Sequence, residues 1–163
     1  YGRGKLGGER RALASGAEVL VVRTSWVFAP GGVNFVDTIL DLAGSGREEL
    51  KVVDDQRGRP TYAPDLARAL VKLVSVGARG LVHFANSGET TWYGLAKEAL
   101  ARAGFAGVRV SPCASDEFPR PAARPANSVL DTSCYAALTG EAPRHHRQAL
   151  DEHLRVRAEA GRA

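Results

Sequence analysis

Tyr1 and Lys5 stand four residues apart in a segment that reads as helix. That spacing sets a phenol and an ammonium one turn from each other on one face. Such a pair is built for proton transfer. A cation beside a phenol favours phenolate and draws a tyrosine pKa down from about 10 toward neutrality. The tyrosine then gives a proton to a substrate oxygen or takes one from it. Tyr-x-x-x-Lys also arises by chance, as an exposed aromatic and a solvated lysine, so its meaning depends on the elements around it.

Residues Tyr1 to about Ala14, rich in Leu, Glu, Arg and Ala, predict the helix, and Ser15-Gly16 ends it. Val19-Leu20-Val21-Val22, within Glu18 to Ser25, predicts a strand buried on both faces, with Trp26-Val27-Phe28 extending it. Phe35, Ile39 and Leu42 predict a helix from Asn34 to about Ala43. Leu50 to Val53 reads as a strand and Asp54 to Pro60 as a polar loop. Pro64 to Val76 predicts a helix with Leu66, Leu70, Leu73 and Val74 on one face. Gly80 to Asn86 reads as a second buried strand, and Thr91 caps a helix running to Ala103. Val108 to Val110 predicts a strand, the proline-rich stretch Ser115 to Asn127 a surface or cleft loop, and Thr132 to Leu138 and His146 to Ala158 the last helices. Strands alternating with helices give an α/β fold.

Composition narrows the classes of function. The chain is 44% hydrophobic and 25% charged, ordinary values for a globular domain. No apolar run approaches the roughly 20 residues that span a bilayer, so no membrane partner is expected. The formal net charge is +4. Arg144, Arg147, Arg155, Arg157 and Arg162 are expected to line a solvated helix face, not the dense aromatic-interleaved stripe of a nucleic-acid binder. A mild positive excess suits an anionic small molecule. Cys113 and Cys134 lie far apart without metal-ligand spacing and read as unpaired thiols. His83, inside an apolar strand, reads as a core residue. His145 and His146 are adjacent and are expected to face different directions, which disfavours a shared metal. Asp54 and Asp55 read as structural. Trp26 ends a buried strand, and ligands of open α/β sheets bind just outside such ends; core packing is the alternative.

Five blocks carry a resemblance. Tyr1-Gly2-Arg3-Gly4-Lys5-Leu6-Gly7-Gly8-Glu9 resembles the active-site helix of extended short-chain dehydrogenase/reductases. Arg23-Thr24-Ser25-Trp26-Val27-Phe28 is similar to one branch, the dTDP-4-dehydrorhamnose reductases. So are Asp54 through Tyr62 with Asp65-Leu66-Ala67, His83-Phe84-Ala85-Asn86 leading into Trp92-Tyr93, and Phe118 through Asp131. The blocks fall in order and reach to about Leu154.

The resemblance implies the C-terminal part of a Rossmann-like doubly wound parallel sheet plus a small α/β substrate-binding lobe. It implies reduction of the 4-keto group of dTDP-4-dehydro-L-rhamnose by NADPH or NADH, in dTDP-rhamnose synthesis. Tyr1 would protonate the C4 oxygen, Lys5 would hold the nicotinamide ribose, and Trp26 would meet the sugar. Asn34, after a glycine turn at a helix start, suits diphosphate or thymine contacts, with a plain N-cap as the alternative. Arg59 and Arg124 suit diphosphate oxygens, with solvated arginines as the alternative. Magnesium, a cytoplasmic location and a homodimer are implied by the resemblance alone. The sequence departs from the family near the last helix, where a tryptophan is usual.

A nicotinamide cofactor needs a glycine-rich turn between a strand and a helix. Gly2-Arg3-Gly4 with Gly7 has the spacing but follows no strand. Residues 1–163 are therefore expected to be a partial reductase whose dinucleotide-binding half lies outside this sequence, and the isolated piece is expected to be inactive. The alternatives are a non-catalytic regulatory subunit of the same fold and another nucleotide-sugar epimerase or dehydratase.

Overall fold

Parallel strand pairs joined through helices organise the chain, as the alternating pattern requires. The computed structural model describes residues 2–119, 121–122 and 124–161. In order they form α1 (Gly2–Leu13), β1 (Leu20–Arg23), β2 (Val27–Phe28), α2 (Phe35–Gly44), β3 (Glu49–Val53), β4 (Arg57–Gly58) and β5 (Thr61–Tyr62). Then come α3 (Ala63–Ser75), β6 (Gly80–His83), β7 (Thr90–Thr91), α4 (Trp92–Arg102), β8 (Arg109–Cys113), a 3₁₀ turn (Ser115–Glu117), α5 (Ser133–Thr139) and α6 (His146–Ala160).

β1 pairs in parallel with β6, from Leu20 opposite Gly80 to Arg23 opposite His83. β3 pairs in parallel with β8, and α4 lies between them in the chain. β2 and β5 form a third parallel pair, and β4 meets β7 antiparallel. This is the expected α/β class. One core cluster joins α2, β3, α4 and α6 through Val36, Ile39, Leu50, Leu95, Leu100 and Leu150. A second joins α3, β6 and α5 through Leu73, Val82, Phe84 and Tyr135.

Local chemistry sets the helix starts. Thr91 caps α4, its Oγ1 accepting from Gly94 N at 3.0 Å. Pro64 sits in the first turn of α3, where a missing N–H costs nothing. On α6, His146, Ala149, Leu150 and His153 make the buried stripe of an amphipathic helix.

Several expectations need correction. The strand does not run on through Trp26. The backbone turns there, at φ 49°, and Val27–Phe28 takes a different partner, β5. Residues 57–58 of the expected loop are a short strand. On α3, Leu73 is buried, but Leu70 and Val74 are 39% and 67% exposed, so the predicted apolar face is only partly covered. His83 is half-buried at the end of β6 instead of inside the core. His145 and His146 do not diverge: their rings sit 4.5 Å apart, because His145 caps α6 from outside the helix. Arg144 and Arg157 are not merely solvated, since each pairs with a buried carboxylate, Asp65 and Asp37 respectively. Arg162 lies outside the described residues.

Candidate active site

The site grows from the carboxyl end of β1, where the chain leaves the sheet at Arg23. Each of the next residues is tied to the loop before α3. Thr24 Oγ1 donates to Thr61 Oγ1 at 3.1 Å, Ser25 Oγ donates to the Arg59 carbonyl at 2.8 Å, and Thr61 N donates to the Trp26 carbonyl at 3.1 Å. Among the described residues Trp26 is the non-glycine residue with positive φ. A bulky side chain in that region costs on the order of 1–3 kcal/mol and persists only where its surroundings over-determine it. Such strain concentrates at functional positions. The Trp26 indole stacks on Trp92, with centroids 3.8 Å apart and planes 13° from parallel. The indole also packs against Gly58, where an added Cβ would fall 2.5 Å from its Cε2, so only glycine fits there.

Arg59 adjoins this loop. Its Nη1 donates to the Leu130 carbonyl at 2.8 Å, and its Nη2 lies 3.9 Å from Glu89 Oε1. Its Nε is buried without a hydrogen-bond partner among the described residues. Arg57 N donates to the Ala126 carbonyl and Ser128 N to the Arg57 carbonyl, both at 2.8 Å. These bonds staple the exit of the proline-rich segment beside Gly58. Arg124 is exposed, two residues before that staple. Asp54 and Asp55 are structural acceptors, from Thr91 Oγ1 and from Ser115 N and Oγ.

Asn34 is the N-cap of α2, its Oδ1 accepting from Asp37 N at 3.0 Å. Its Nδ2 donates to the Ala29 and Gly32 carbonyls and to Asp37 Oδ2, at 2.9, 3.0 and 2.6 Å. The amide therefore shapes the 29–34 loop from within. Asp37 is anchored in turn by Arg157 Nη1 at 2.8 Å and faces His153 Nε2 at 2.9 Å. Burial pushes its carboxyl pKa up, but bonds from Asn34, His153 and Arg157 outweigh that and hold it below the usual aspartate value. The loop reaches the aromatic pair through Phe35, 4.7 Å from the Trp92 ring.

Tyr1 lies outside the described residues. Lys5 is exposed on α1, one turn before Glu9 on the same face. None of the described residues of α1 is buried. What fixes the helix to the sheet is a two-pronged ion pair: Arg23 Nε and Nη2 donate to Glu9 Oε1 and Oε2 at 2.9 and 2.6 Å. The fork orients the helix that carries Lys5 against the end of β1. The Arg23 hydrogen bond is the main reason the Glu9 pKa falls below its ordinary value. A depressed carboxylate stabilises the folded contact above its unfolded pKa, and that contribution is lost as pH falls through the lower folded value. Below the ordinary glutamate value of about 4.3, α1 should therefore loosen before the core does. Glu9→Gln should raise amide hydrogen exchange across Gly2–Leu13 at neutral pH while leaving α4 protected. Equal protection of α1 in variant and parent would refute the anchor.

The structure thus gathers Trp26, Arg59, the cap loop of Asn34 and the exit of the Arg124 segment around one set of loops. Sequence reasoning missed Trp92 as the stacking partner of Trp26 and Gln56 as the acceptor of the Trp92 indole N–H. It also missed the Asp37–His153 pair, although the i, i+3, i+4, i+7 spacing of His146, Ala149, Leu150 and His153 carried that signal. Among the described residues no group of three or more His, Cys, Asp or Glu side chains could hold a metal ion.

A family model described as the RmlD substrate binding domain matches residues 1–158. The chain is 45% identical over 153 residues to a dTDP-4-dehydrorhamnose reductase of Mycobacterium tuberculosis, covering 92% of this chain and 50% of the relative. Among solved structures it is similar to a dTDP-4-dehydrorhamnose reductase of Clostridium acetobutylicum, at 38% identity and a TM-score of 0.89, covering 96% of this chain and 55% of that one. It is also similar to one of Bacillus anthracis in complex with NADP, at 33% identity and a TM-score of 0.87, covering 96% and 54%. The chain spans about half the length of these relatives.

Proposed function

The chain belongs to the RmlD substrate binding domain family, and from that premise we propose that it is the substrate-binding, proton-donating half of an NAD(P)H-dependent dTDP-4-dehydrorhamnose reductase. The observation that carries this reading is the strained, stacked Trp26 at the carboxyl end of β1, ringed by the Arg59 and Asn34 loops. That is where an open α/β sheet receives its ligand. The NADP complex of the Bacillus anthracis relative supports the cofactor class.

In this reading the reduced nicotinamide, when bound, supplies the hydride that no side chain can. The chain's own residues do the rest. Tyr1 gives its phenolic proton to the C4 oxygen of the sugar. Lys5 holds the nicotinamide ribose and favours the Tyr1 phenolate left behind. Trp26 packs on the sugar ring, and Arg59, Asn34 and Arg124 face the dTDP moiety. Asn34 keeps its amide in the cap, so its loop offers backbone N–H groups. Arg59 offers its buried Nε, which has no partner among the described residues.

The dinucleotide-binding half belongs, on this proposal, to residues outside the sequence. The half-length match to relatives supports that, as does β1, which among the described residues pairs with β6 alone and keeps its side chains half exposed. A homodimer and a cytoplasmic location follow from the same reading; no helix among the described residues is long and apolar enough to cross a membrane. The test is direct. The complete protein should consume NADPH absorbance only when dTDP-4-dehydro-L-rhamnose is added. The 163-residue chain alone should neither turn over nor bind NADPH at micromolar concentrations. A complete protein that binds the sugar nucleotide without oxidising NADPH would make the non-catalytic subunit the correct reading.

A further inference from the structure

Trp26 and Trp92 are the two tryptophans of the sequence, and they lie against each other. Aromatic pairs in proteins usually settle edge-to-face or offset. Here near-parallel rings at 3.8 Å cover one whole face of the Trp26 indole. Trp92 is itself held on two sides. Its Nε1–H donates to Gln56 Oε1 at 3.2 Å, and Phe35 meets its ring at a 59° tilt. Gln56 is fixed in turn, its Nε2 donating to Ser115 Oγ at 2.7 Å, while Ser115 Oγ donates to Asp55 at 2.5 Å. A strut of side chains thus runs from the 3₁₀ turn to the strained residue of the candidate site.

We propose that Trp92, held by Gln56, is the positioning residue for Trp26: it fills one face of the indole and leaves the sugar of a dTDP-hexose only the opposite face. This rests on the reading above that Trp26 meets the sugar. It adds a specificity element, because an indole with one face filled and its tilt fixed accepts a sugar ring in one orientation. The nucleotide, which the same reading assigns to Arg59, Asn34 and Arg124, should be indifferent to the strut.

The experiment compares two ligands on the complete protein by calorimetric titration, dTDP and dTDP-L-rhamnose. Trp92→Leu and Gln56→Ala should weaken dTDP-L-rhamnose binding about tenfold and fivefold while changing dTDP binding less than twofold. Trp92→Phe, which keeps a ring in the stack, should restore most of the loss. A far-ultraviolet circular dichroism difference spectrum should show an exciton couplet, present in the parent and lost in Trp92→Phe. Equal weakening of both ligands would mean general disruption and overturn the proposal. So would unchanged dTDP-L-rhamnose binding in Trp92→Leu, where no ring is left in the stack, or a parent without the couplet. If the parent binds neither ligand, the functional reading itself fails, which is a distinct outcome.

Discussion

Tyr1→Phe in the complete protein is expected to lower kcat for ketone reduction by about 10²–10⁴-fold, the usual contribution of a positioned general acid. The substitution removes one oxygen and leaves the ring. KM for the sugar nucleotide should stay within about twofold, because binding is assigned to the loops around Trp26. Equal falls in kcat and kcat/KM are the mark of a contact made only in the transition state. Lys5→Met should differ in kind. It keeps an unbranched side chain but removes the charge, so kcat should fall and the KM for NADPH should rise together. Steady-state kinetics with each substrate varied in turn separates the two outcomes. A Tyr1→Phe protein that keeps half of the parental kcat would remove Tyr1 from the chemistry and with it the proposed proton route.

The elements that position this chemistry were partly legible in the sequence. β1 and β6 could be read as strands because Val19-Leu20-Val21-Val22 and Leu81-Val82-His83-Phe84 are short apolar runs, but the expected cover on both faces is only partial, with β1 half-buried along its length and Leu81 40% exposed. α2 and α4 could be read from Asn34 and Thr91, whose capping chemistry is local. The break at Trp26 was not legible. Nothing in a Trp-Val-Phe run signals a left-handed residue; the turn depends on a stack with Trp92 and a glycine at position 58, both distant in sequence. The anchor of α1 was hidden for the same reason. Glu9 and Arg23 each look like surface charges until folding sets a fork against a carboxylate. Asn34 shows the converse. Its residue type fitted a ligand contact and a cap alike, and only the bonds to Asp37, Ala29 and Gly32 place it in the cap. Chemistry within one turn of the chain is written locally. Chemistry that joins β1 to the 54–62 loop is written in pairs that no single segment displays.

The largest stability effect should come from a residue with no place in the proton route. Asp65 opens α3 and is nearly sealed from solvent. Its Oδ2 accepts from Asn86 Nδ2 at 2.7 Å and Arg144 Nε at 2.8 Å, and its Oδ1 pairs with Arg68. Asn86, wholly buried, accepts from Tyr62 N at 2.8 Å and donates to the Arg144 carbonyl at 3.3 Å. One carboxylate therefore ties β5, the end of β6 and the entry to α6 to a single point. Burial alone would raise the Asp65 pKa, but bonds from Arg144 and Asn86 overcome it and hold the group below the ordinary aspartate value. Asp65→Ala leaves the Arg144 guanidinium and the Asn86 amide facing one another without their acceptor. Breaking one side of a buried pair costs about 3–5 kcal/mol, which for a protein of this size lowers Tm by roughly 6–20 °C. Arg144→Ala should cost less, since the guanidinium is partly exposed and also pairs with Glu152 at 2.7 Å. The double variant should fall short of the sum, because once either partner is gone the second loss has less to break. Thermal unfolding of the three variants decides it. If Asp65→Ala unfolds within 2 °C of the parent, or if the two single losses simply add, Asp65 is not the point that joins these elements.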